Sequence, residues 1–160
     1  FEQHVDAYCL ALLLVRGIPP VLHDCALVEV HFQAERLGWH TDDFVIVGEN
    51  GSQLRRRLLG QVKRAFTVSA TDEACKKAIQ DFWKDFGNGN LFSPASDRFA
   101  LVTLRGTNTL LEHFAGLLNC ARAARDAAEF ETRLATPGFL SSKAVQYCAE
   151  IQTIIGPGSR

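Results

Sequence analysis

The spacing of apolar residues changes several times along the chain, and each spacing predicts a different secondary-structure element. Over Glu2–Arg16 the apolar residues cover most of a helical circumference, which predicts a helix that is largely buried. Gly17 and the pair Pro19-Pro20 then end this helix. In residues 27–35, LVEVHFQAE, apolar and polar residues alternate, which is typical of a strand with one buried face.

Two more strands are predicted downstream of this one. The stretch DDFVIVGENG contains a β-rich segment at 44–47, and its Asn50-Gly51 pair is a tight-turn signal. The stretch LRRRLLGQVKRAF follows the turn and is predicted to form a third strand that pairs back on the second. Together the three strands predict a β-meander that follows the first helix.

The second half of the chain is predicted to be mostly helical. Thr71 is a candidate cap for a helix over DEACKKAIQDFWKDFG. The continuous apolar run FALVTL at 99–104 predicts a strand that is buried on both faces. Further helices are expected at 109–125, continuing to Leu134, and at 142–155. The order α-β-β-β-α-β-α-α predicts the α/β class, with a mixed β-sheet flanked by helices.

Composition and charge exclude few classes of function. The chain has 160 residues, a length that suits one compact domain, and its net charge is −1. A nuclease needs only a local basic surface, so this balance neither supports nor excludes nucleic acid. The five cysteines are widely spaced and form no CxxC pair, so we expect buried free thiols in a reducing cytoplasm. The longest apolar run is too short to span a membrane.

The two ends of the sequence suggest a fragment of a longer polypeptide. The chain has no methionine, and it opens directly on a helical pattern. We therefore expect a folded domain over residues 1–155. Residues 156–160, which close the chain with GPGSR, are expected to be a linker or a cloning remnant.

Candidate chemistry lies at the second and third predicted strands. Asp43 directly precedes the second strand, and Gln61-Val62-Lys63 lies in the third. Because side chains alternate along a strand, Gln61 and Lys63 share a face while Val62 points into packing. A paired hairpin can bring Asp43, Gln61 and Lys63 together at one edge of the sheet.

This group contains what phosphodiester hydrolysis requires. A carboxylate can hold Mg²⁺ or Mn²⁺, which neutralises the charge that develops on the phosphate. A lysine beside it can orient or help to deprotonate the attacking water and stabilise the transition state. A glutamine amide oxygen is a weaker ligand than a carboxylate, so the site needs a further acid. Histidine metal motifs and glycine-rich nucleotide loops are absent from the sequence.

The pattern resembles the PD-(D/E)xK nuclease superfamily, and within it the Mrr-like branch, where QxK replaces ExK. TDDFVIV followed by LLGQVKR resembles the core hairpin of that branch. TVSATDEACKKAIQDFWKDF and DRFALVTLRG are similar to endonuclease effector domains of bacterial antiviral systems. Those effectors are fused to STAND NTPases or belong to cyclic-oligonucleotide signalling systems. The resemblance spans roughly residues 1 to 150 and implies a restriction-endonuclease-like core.

The resemblance also implies roles for individual residues. Asp43 would be the metal aspartate, with Asp42 as its alternative, and Gln61 and Lys63 match the QxK pair. Such families often add a glutamate from the first helix. Glu2 occupies a suitable place, and Glu35, just upstream of the hairpin, is its rival as the further metal ligand.

The implied substrate is double-stranded DNA, cut with little sequence specificity. The basic residues around the third strand are candidate phosphate contacts, or else a solvated edge protected by charge; they are Arg55, Arg56, Arg57 and Arg64. Cutting both strands gives a reason for self-association as a dimer or larger oligomer, and the Ala-rich CARAARDAAEF can pack in the core or at such an interface. The implied partners are sensor or NTPase domains elsewhere in the same polypeptide, in antiphage defence.

Two alternatives stay open at this point. The first is a catalytically degenerate nuclease fold that binds DNA or assembles oligomers, because Gln61 stands at a usually acidic position. The second is a purely structural interaction domain of a larger signalling protein.

Overall fold

A computed structural model describes residues 1–156, so residues 157–160 of the predicted linker lie outside the described residues. The chain divides into two compact units. The first contains Phe1–Arg64 and Gln80–Leu104, and the second contains Ala65–Ile79 and the chain from Arg105 onward. All the residues proposed from sequence for the metal and the DNA belong to the first unit.

The first unit is built on a four-stranded mixed sheet in the order β1-β2-β3-β4. Its strands are β1 (Ala26–Phe32), β2 (Phe44–Glu49), β3 (Arg55–Lys63) and β4 (Arg98–Thr103). The first three pair antiparallel with their sequence neighbours, and β4 pairs parallel to β3. The predicted β-meander and the mixed α/β class are therefore confirmed.

The apolar strand β4 is less buried than its sequence suggests. It lies at the edge of the sheet, where β3 is its only strand neighbour among residues 1–156, and none of its residues is fully buried. The expectation of burial on both faces is therefore wrong. A continuous apolar run does not by itself distinguish a central strand from an edge strand that packs through one face. The ring of Phe99 lies in β4, stacked on Phe92 and tilted against Phe82.

The first helix, α1 (Glu2–Leu14), packs on the sheet against β1 and β3. Of its residues only Cys9 is fully buried, while Tyr8 is 52% and Leu14 is 85% exposed. The prediction of a largely buried helix is therefore wrong. An all-round apolar pattern leaves apolar side chains on the solvent side when only one side meets the sheet.

The helix α2 (Glu73–Gly87) begins in the second unit and ends in the first. Its first turn is capped by Asp72, whose Oδ1 accepts from the Cys75 backbone N–H at 2.8 Å. Thr71, the expected cap, lies one residue earlier, where its hydroxyl is bonded to Ser69. The predicted cap is therefore wrong by one position.

The second unit also contains a π-helical turn (Leu110–Phe114), α3 (Ala115–Ala123), α4 (Ala127–Ala135) and α5 (Ser142–Ile155). The predicted continuous helix to Leu134 is broken, since Ala124 is extended and Asp126 caps α4 by accepting from the Glu129 N–H. Hydrogen bonds from Arg125 and then Arg133 lower the pKa of Glu129 to about 2. These contacts favour a new helix start over continuation.

The five cysteines are all free, and four of them are buried, as expected. Burial raises the pKa of the thiols of Cys9, Cys25, Cys75 and Cys148. Within residues 1–156, every helix is too short or too polar to cross a membrane.

The close approach of β2 and β3 depends on Gly60. Phe44 pairs with Gly60, and its ring occupies the space that a Cβ on Gly60 would need. Phe44 is only 3% exposed, so its ring has little room to move. These two residues adjoin Asp43 and Gln61 in sequence, so this contact also supports the candidate site.

We predict that Gly60→Ala destabilises the chain by about 1–3 kcal/mol, because an extra methyl group overpacks the buried ring of Phe44. The free energy of unfolding from urea titration measures the effect. Gly51→Ala is the matched control, since a Cβ there meets nothing within 4 Å, and its effect should stay within about 0.5 kcal/mol. Equal stability of the two variants would contradict the prediction.

Candidate functional site

The carboxylate of Asp43 lies where β2 and β3 meet at one end of the sheet. The register Phe44↔Gly60 sets Asp43, one residue earlier, opposite Gln61. Asp43 Oδ2 accepts a hydrogen bond from the Val62 backbone N–H at 2.5 Å. The position of this carboxylate is therefore fixed by backbone pairing rather than by side-chain packing alone.

The ammonium of Lys63 joins the two other members of the group. Lys63 Nζ is 3.3 Å from Asp43 Oδ2 and 2.5 Å from Gln61 Oε1. The side chains of Lys63 and Asp43 are 20% and 18% exposed, so the pair is partly shielded from solvent. A carboxylate oxygen, an amide oxygen and an ammonium thus meet at one point, as the alternation along β3 predicted.

Gln61 is fully buried, and both ends of its amide are used. Its Oε1 accepts from Lys63, and its Nε2 donates to Asp42 Oδ1 at 3.0 Å. An ammonium can only donate and a carboxylate can only accept, so each neighbour fixes one end of the amide. Gln61 thereby links Lys63 to Asp42.

An acidic pocket of about 370 Å³ opens beside this group. Its lining residues come from α1, from the segment after β1 and from the start of β2; they are Glu2, Gln33, Glu35, Arg36, Asp42 and Asp43. Both candidates for the further acid, Glu2 and Glu35, therefore line the same pocket, and the two aspartates adjoin them. The sequence treated Glu2 and Glu35 as rivals for the further metal ligand, and the lining of the pocket does not separate them.

The segment after β1 is tied to the two aspartates by backbone hydrogen bonds. Ala34 N–H donates to the Asp42 carbonyl at 2.7 Å, and Gln33 N–H donates to the Asp43 carbonyl at 3.3 Å. Gln33 has φ +52°, a left-handed conformation that turns the chain into a short 3-10 helix, Ala34–Leu37. Glu35 and Arg36 lie in that helix, so their backbone positions are fixed relative to the aspartates.

Asp6 is a member of this acidic group that the sequence reasoning missed. Burial, and then the negative charge of Asp43, raise the pKa of the Asp6 carboxyl above its usual range. Asp6 follows Glu2 by four residues on α1, so the two carboxylates share one side of the helix. That spacing was the available signal in the sequence.

The donor set of the site suits a hard divalent cation. Oxygens of Asp43 and Gln61 converge on the ammonium of Lys63, and Glu2, Glu35 and Asp42 add carboxylates nearby. Oxygen ligands of this type are those of Mg²⁺ and Mn²⁺. Among residues 1–156, however, no three His, Cys, Asp or Glu side chains are close enough to hold a metal by themselves. Metal binding therefore requires Gln61 as a ligand or movement of the acidic side chains.

The arginines proposed from sequence differ in their surroundings. Arg57 is bound to the buried carboxylate of Asp97 at 2.9 Å and lies over the ring of Trp39. Arg55 pairs with Glu29 and Glu49. Arg56, similarly, pairs with Asp24. Only Arg64 of this group is exposed with no ion pair or hydrogen bond among residues 1–156.

Arg36 is a further cation that sequence reasoning missed. It lines the acidic pocket, is exposed, and has no ion pair or hydrogen bond within the described part of the chain. No local sequence motif indicates this role for Arg36, because its position near Asp42 and Asp43 depends on how the 3-10 helix Ala34–Leu37 folds.

Known proteins add no family assignment to this geometry. Comparison of the chain with protein-family models, with curated proteins and with solved structures gives no significant match.

The raised pKa of Asp6 predicts a pH-dependent effect of Asp6→Asn. A carboxyl whose folded-state pKa is raised contributes stability below its unfolded pKa, and this is lost as pH rises through the folded value. At pH 7 the ionised Asp6 therefore opposes folding, and Asp6→Asn should raise the Tm. The gain should shrink as the pH falls towards about 4.

Thermal unfolding at pH 7 and at pH 4, without divalent metal, measures this effect. Glu131→Gln, at an exposed position in the second unit, is the control for the loss of one negative charge. An unchanged or lower Tm for Asp6→Asn at pH 7 would contradict the prediction.

Proposed function

We propose that this chain is a metal-dependent endonuclease domain that hydrolyses phosphodiester bonds of double-stranded DNA with little sequence specificity. One observation carries the proposal. The Lys63 ammonium contacts both the Asp43 carboxylate and the Gln61 amide oxygen, beside an acidic pocket. A combination of hard oxygen ligands with a lysine is what metal-assisted phosphodiester hydrolysis needs.

In the proposed site, Asp43 holds Mg²⁺ or Mn²⁺ together with Gln61 and acids of the pocket. Glu2, Glu35 and Asp42 are the acids that line the pocket with Asp43, and Asp6 is near enough for the charge of Asp43 to raise its pKa. When bound, the metal neutralises charge on the scissile phosphate and lowers the pKa of a coordinated water. The surplus of carboxylates around Asp43 favours a divalent cation over a monovalent one.

Lys63 acts on the phosphate and on the attacking water in this proposal. Its ammonium has three donors, two of which are directed to Asp43 and Gln61, so the third remains for a phosphate oxygen or a water. Partial burial strengthens its interaction with negative charge that develops in the transition state. Gln61, besides offering its amide oxygen to the metal, holds Lys63 and Asp42 in place.

Arg36 is the proposed contact to the substrate backbone. A polyanion that approaches a pocket lined by carboxylates is repelled, and a free guanidinium on the lining offsets this repulsion. Phosphate contacts of this kind carry no sequence information, in keeping with low specificity. The sequence resemblance supports an effector role in antiphage defence, in which self-association would pair two sites for the two DNA strands.

We predict that Asp43→Asn and Lys63→Met each lower DNA cleavage at least about 100-fold, because the first removes the charge that holds the metal and the second removes a charge that acts on the phosphate. Relaxation of supercoiled plasmid in Mg²⁺ or Mn²⁺ measures the rate, and a parallel assay on RNA tests the choice of backbone. Asp24→Asn and Lys84→Met are matched controls, since each removes one partner of a single ion pair away from the pocket.

Controls that cut like the parent, with the two site variants inactive, support the proposal. Site variants that cut as fast as the parent would show that the assigned residues are wrong. If the parent chain binds DNA but does not cut it in either Mg²⁺ or Mn²⁺, the result would contradict the nuclease proposal and favour a catalytically degenerate fold that binds DNA.

One observation favours that second candidate, a degenerate nuclease fold that binds DNA. Asp43 Oδ2 already accepts from Val62 and Lys63, and Gln61 replaces an acid that would strengthen metal binding. In this case the same residues would hold the hairpin together, and DNA binding would not depend on divalent metal.

We predict that Arg36→Gln weakens DNA binding about three- to tenfold and lowers the salt dependence of log K by about one unit, because one phosphate contact is lost. Fluorescence anisotropy with a short duplex, at several salt concentrations and with Ca²⁺ in place of Mg²⁺, measures both quantities. Arg55→Gln is the control, since Arg55 already pairs with Glu29 and Glu49. Equal affinities for the two variants would exclude this role for Arg36.

A further inference from the structure

Asp85 is a buried carboxylate far from Asp43 in sequence. It lies near the end of α2 and is 0% exposed. Its Oδ1 accepts from the His40 backbone N–H at 2.9 Å, and its Oδ2 accepts from the Thr41 N–H at 2.7 Å. A buried charge is tolerated only where such donors compensate for lost hydration, so both hydrogen bonds matter.

The loop that donates these hydrogen bonds, through His40 and Thr41, leads directly to Asp42 and Asp43. On its other side, Ala34 and Gln33 donate to the carbonyls of the same two aspartates. The loop is therefore held between α2 and the segment after β1. Each of these hydrogen bonds involves the backbone of the loop, so together they fix the backbone positions from which the Asp42 and Asp43 side chains project.

We propose that Asp85 is a positioning residue for the acidic site, and that it sets the affinity of the site for the divalent cation by holding the Thr41–Asp43 backbone. This inference rests on the proposed nuclease function. Asp85 itself touches neither the pocket lining nor Lys63 in the described contacts. It acts on the cation only through the loop.

Asp85→Asn is the sharpest test, because it preserves shape while replacing one of the two accepting carboxylate oxygens by an NH2 group, which can only donate. One of the two loop N–H groups then loses its acceptor. Asp81→Asn is the matched control: Asp81 lies one turn earlier on α2, is 5% exposed, and pairs with Lys84. Any general effect of removing a buried charge from α2 should appear in both variants.

We expect Asp85→Asn to raise the half-saturating Mn²⁺ concentration for cleavage by about tenfold or more, as loss of support behind metal ligands does. The rate at saturating Mn²⁺ should change much less. Calorimetric titration with Mn²⁺ should show the same loss of affinity without substrate. Amide hydrogen exchange at His40 and Thr41 should accelerate about tenfold or more. Asp81→Asn should leave all of these values near those of the parent.

A further measurement avoids any variant that fails to fold. Since coupling between two sites is reciprocal, adding Mg²⁺ to the parent chain should slow exchange at His40 and Thr41 while leaving amides of α5 unchanged. No slowing, or equal Mn²⁺ affinity in Asp85→Asn and Asp81→Asn, would overturn the inference. A parent that binds no divalent cation would instead refute the proposed function, while exchange in Asp85→Asn would still decide whether Asp85 anchors the loop.

Discussion

The Asp43 carboxylate crosses from the start of β2 to the end of β3, where it accepts from the Val62 backbone and from the Lys63 ammonium. Asp43 Oδ2 thereby links the two strands at the end of the hairpin opposite its turn, and it holds the Lys63 ammonium in place. Gln61 extends the arrangement to Asp42 by using both ends of its buried amide. The acidic pocket lies beside this closure, so its lining depends on the same strand register.

The sequence predicts this part of the molecule well for a physical reason. Alternation along a strand fixes which residues share a face, and the turn signal Asn50-Gly51, which falls in the connection from Glu49 to Arg55, indicates which strands are neighbours. Asp43, Gln61 and Lys63 follow from those two rules alone. The specific nuclease core and its chemistry go beyond these rules, and stay a prediction.

Other features depend on contacts that local patterns do not contain. Asp85 meets the loop across 44 residues of sequence, and no periodicity links the two. The apolar circumference of α1 predicted burial, although packing against one face of a sheet leaves Leu14 exposed. The edge position of β4 depends on parallel pairing to β3, which a run of apolar residues does not specify. The place of Asp6 beside the other acids could have been predicted from the sequence, because Asp6 follows Glu2 by four residues on α1.

The order of the strands has a consequence for how the chain folds. Gln61 and Lys63 lie in β3 and Asp43 directly precedes β2, and one short connection joins these two strands, whereas β4 joins β3 only after the intervening α2. Closing a short loop costs less conformational entropy than closing a long one, so the hairpin can form before the parallel strand adds to it. The part of the sheet that carries the candidate site is thus also its most local part, and its formation does not have to wait for the pairing of β4 with β3.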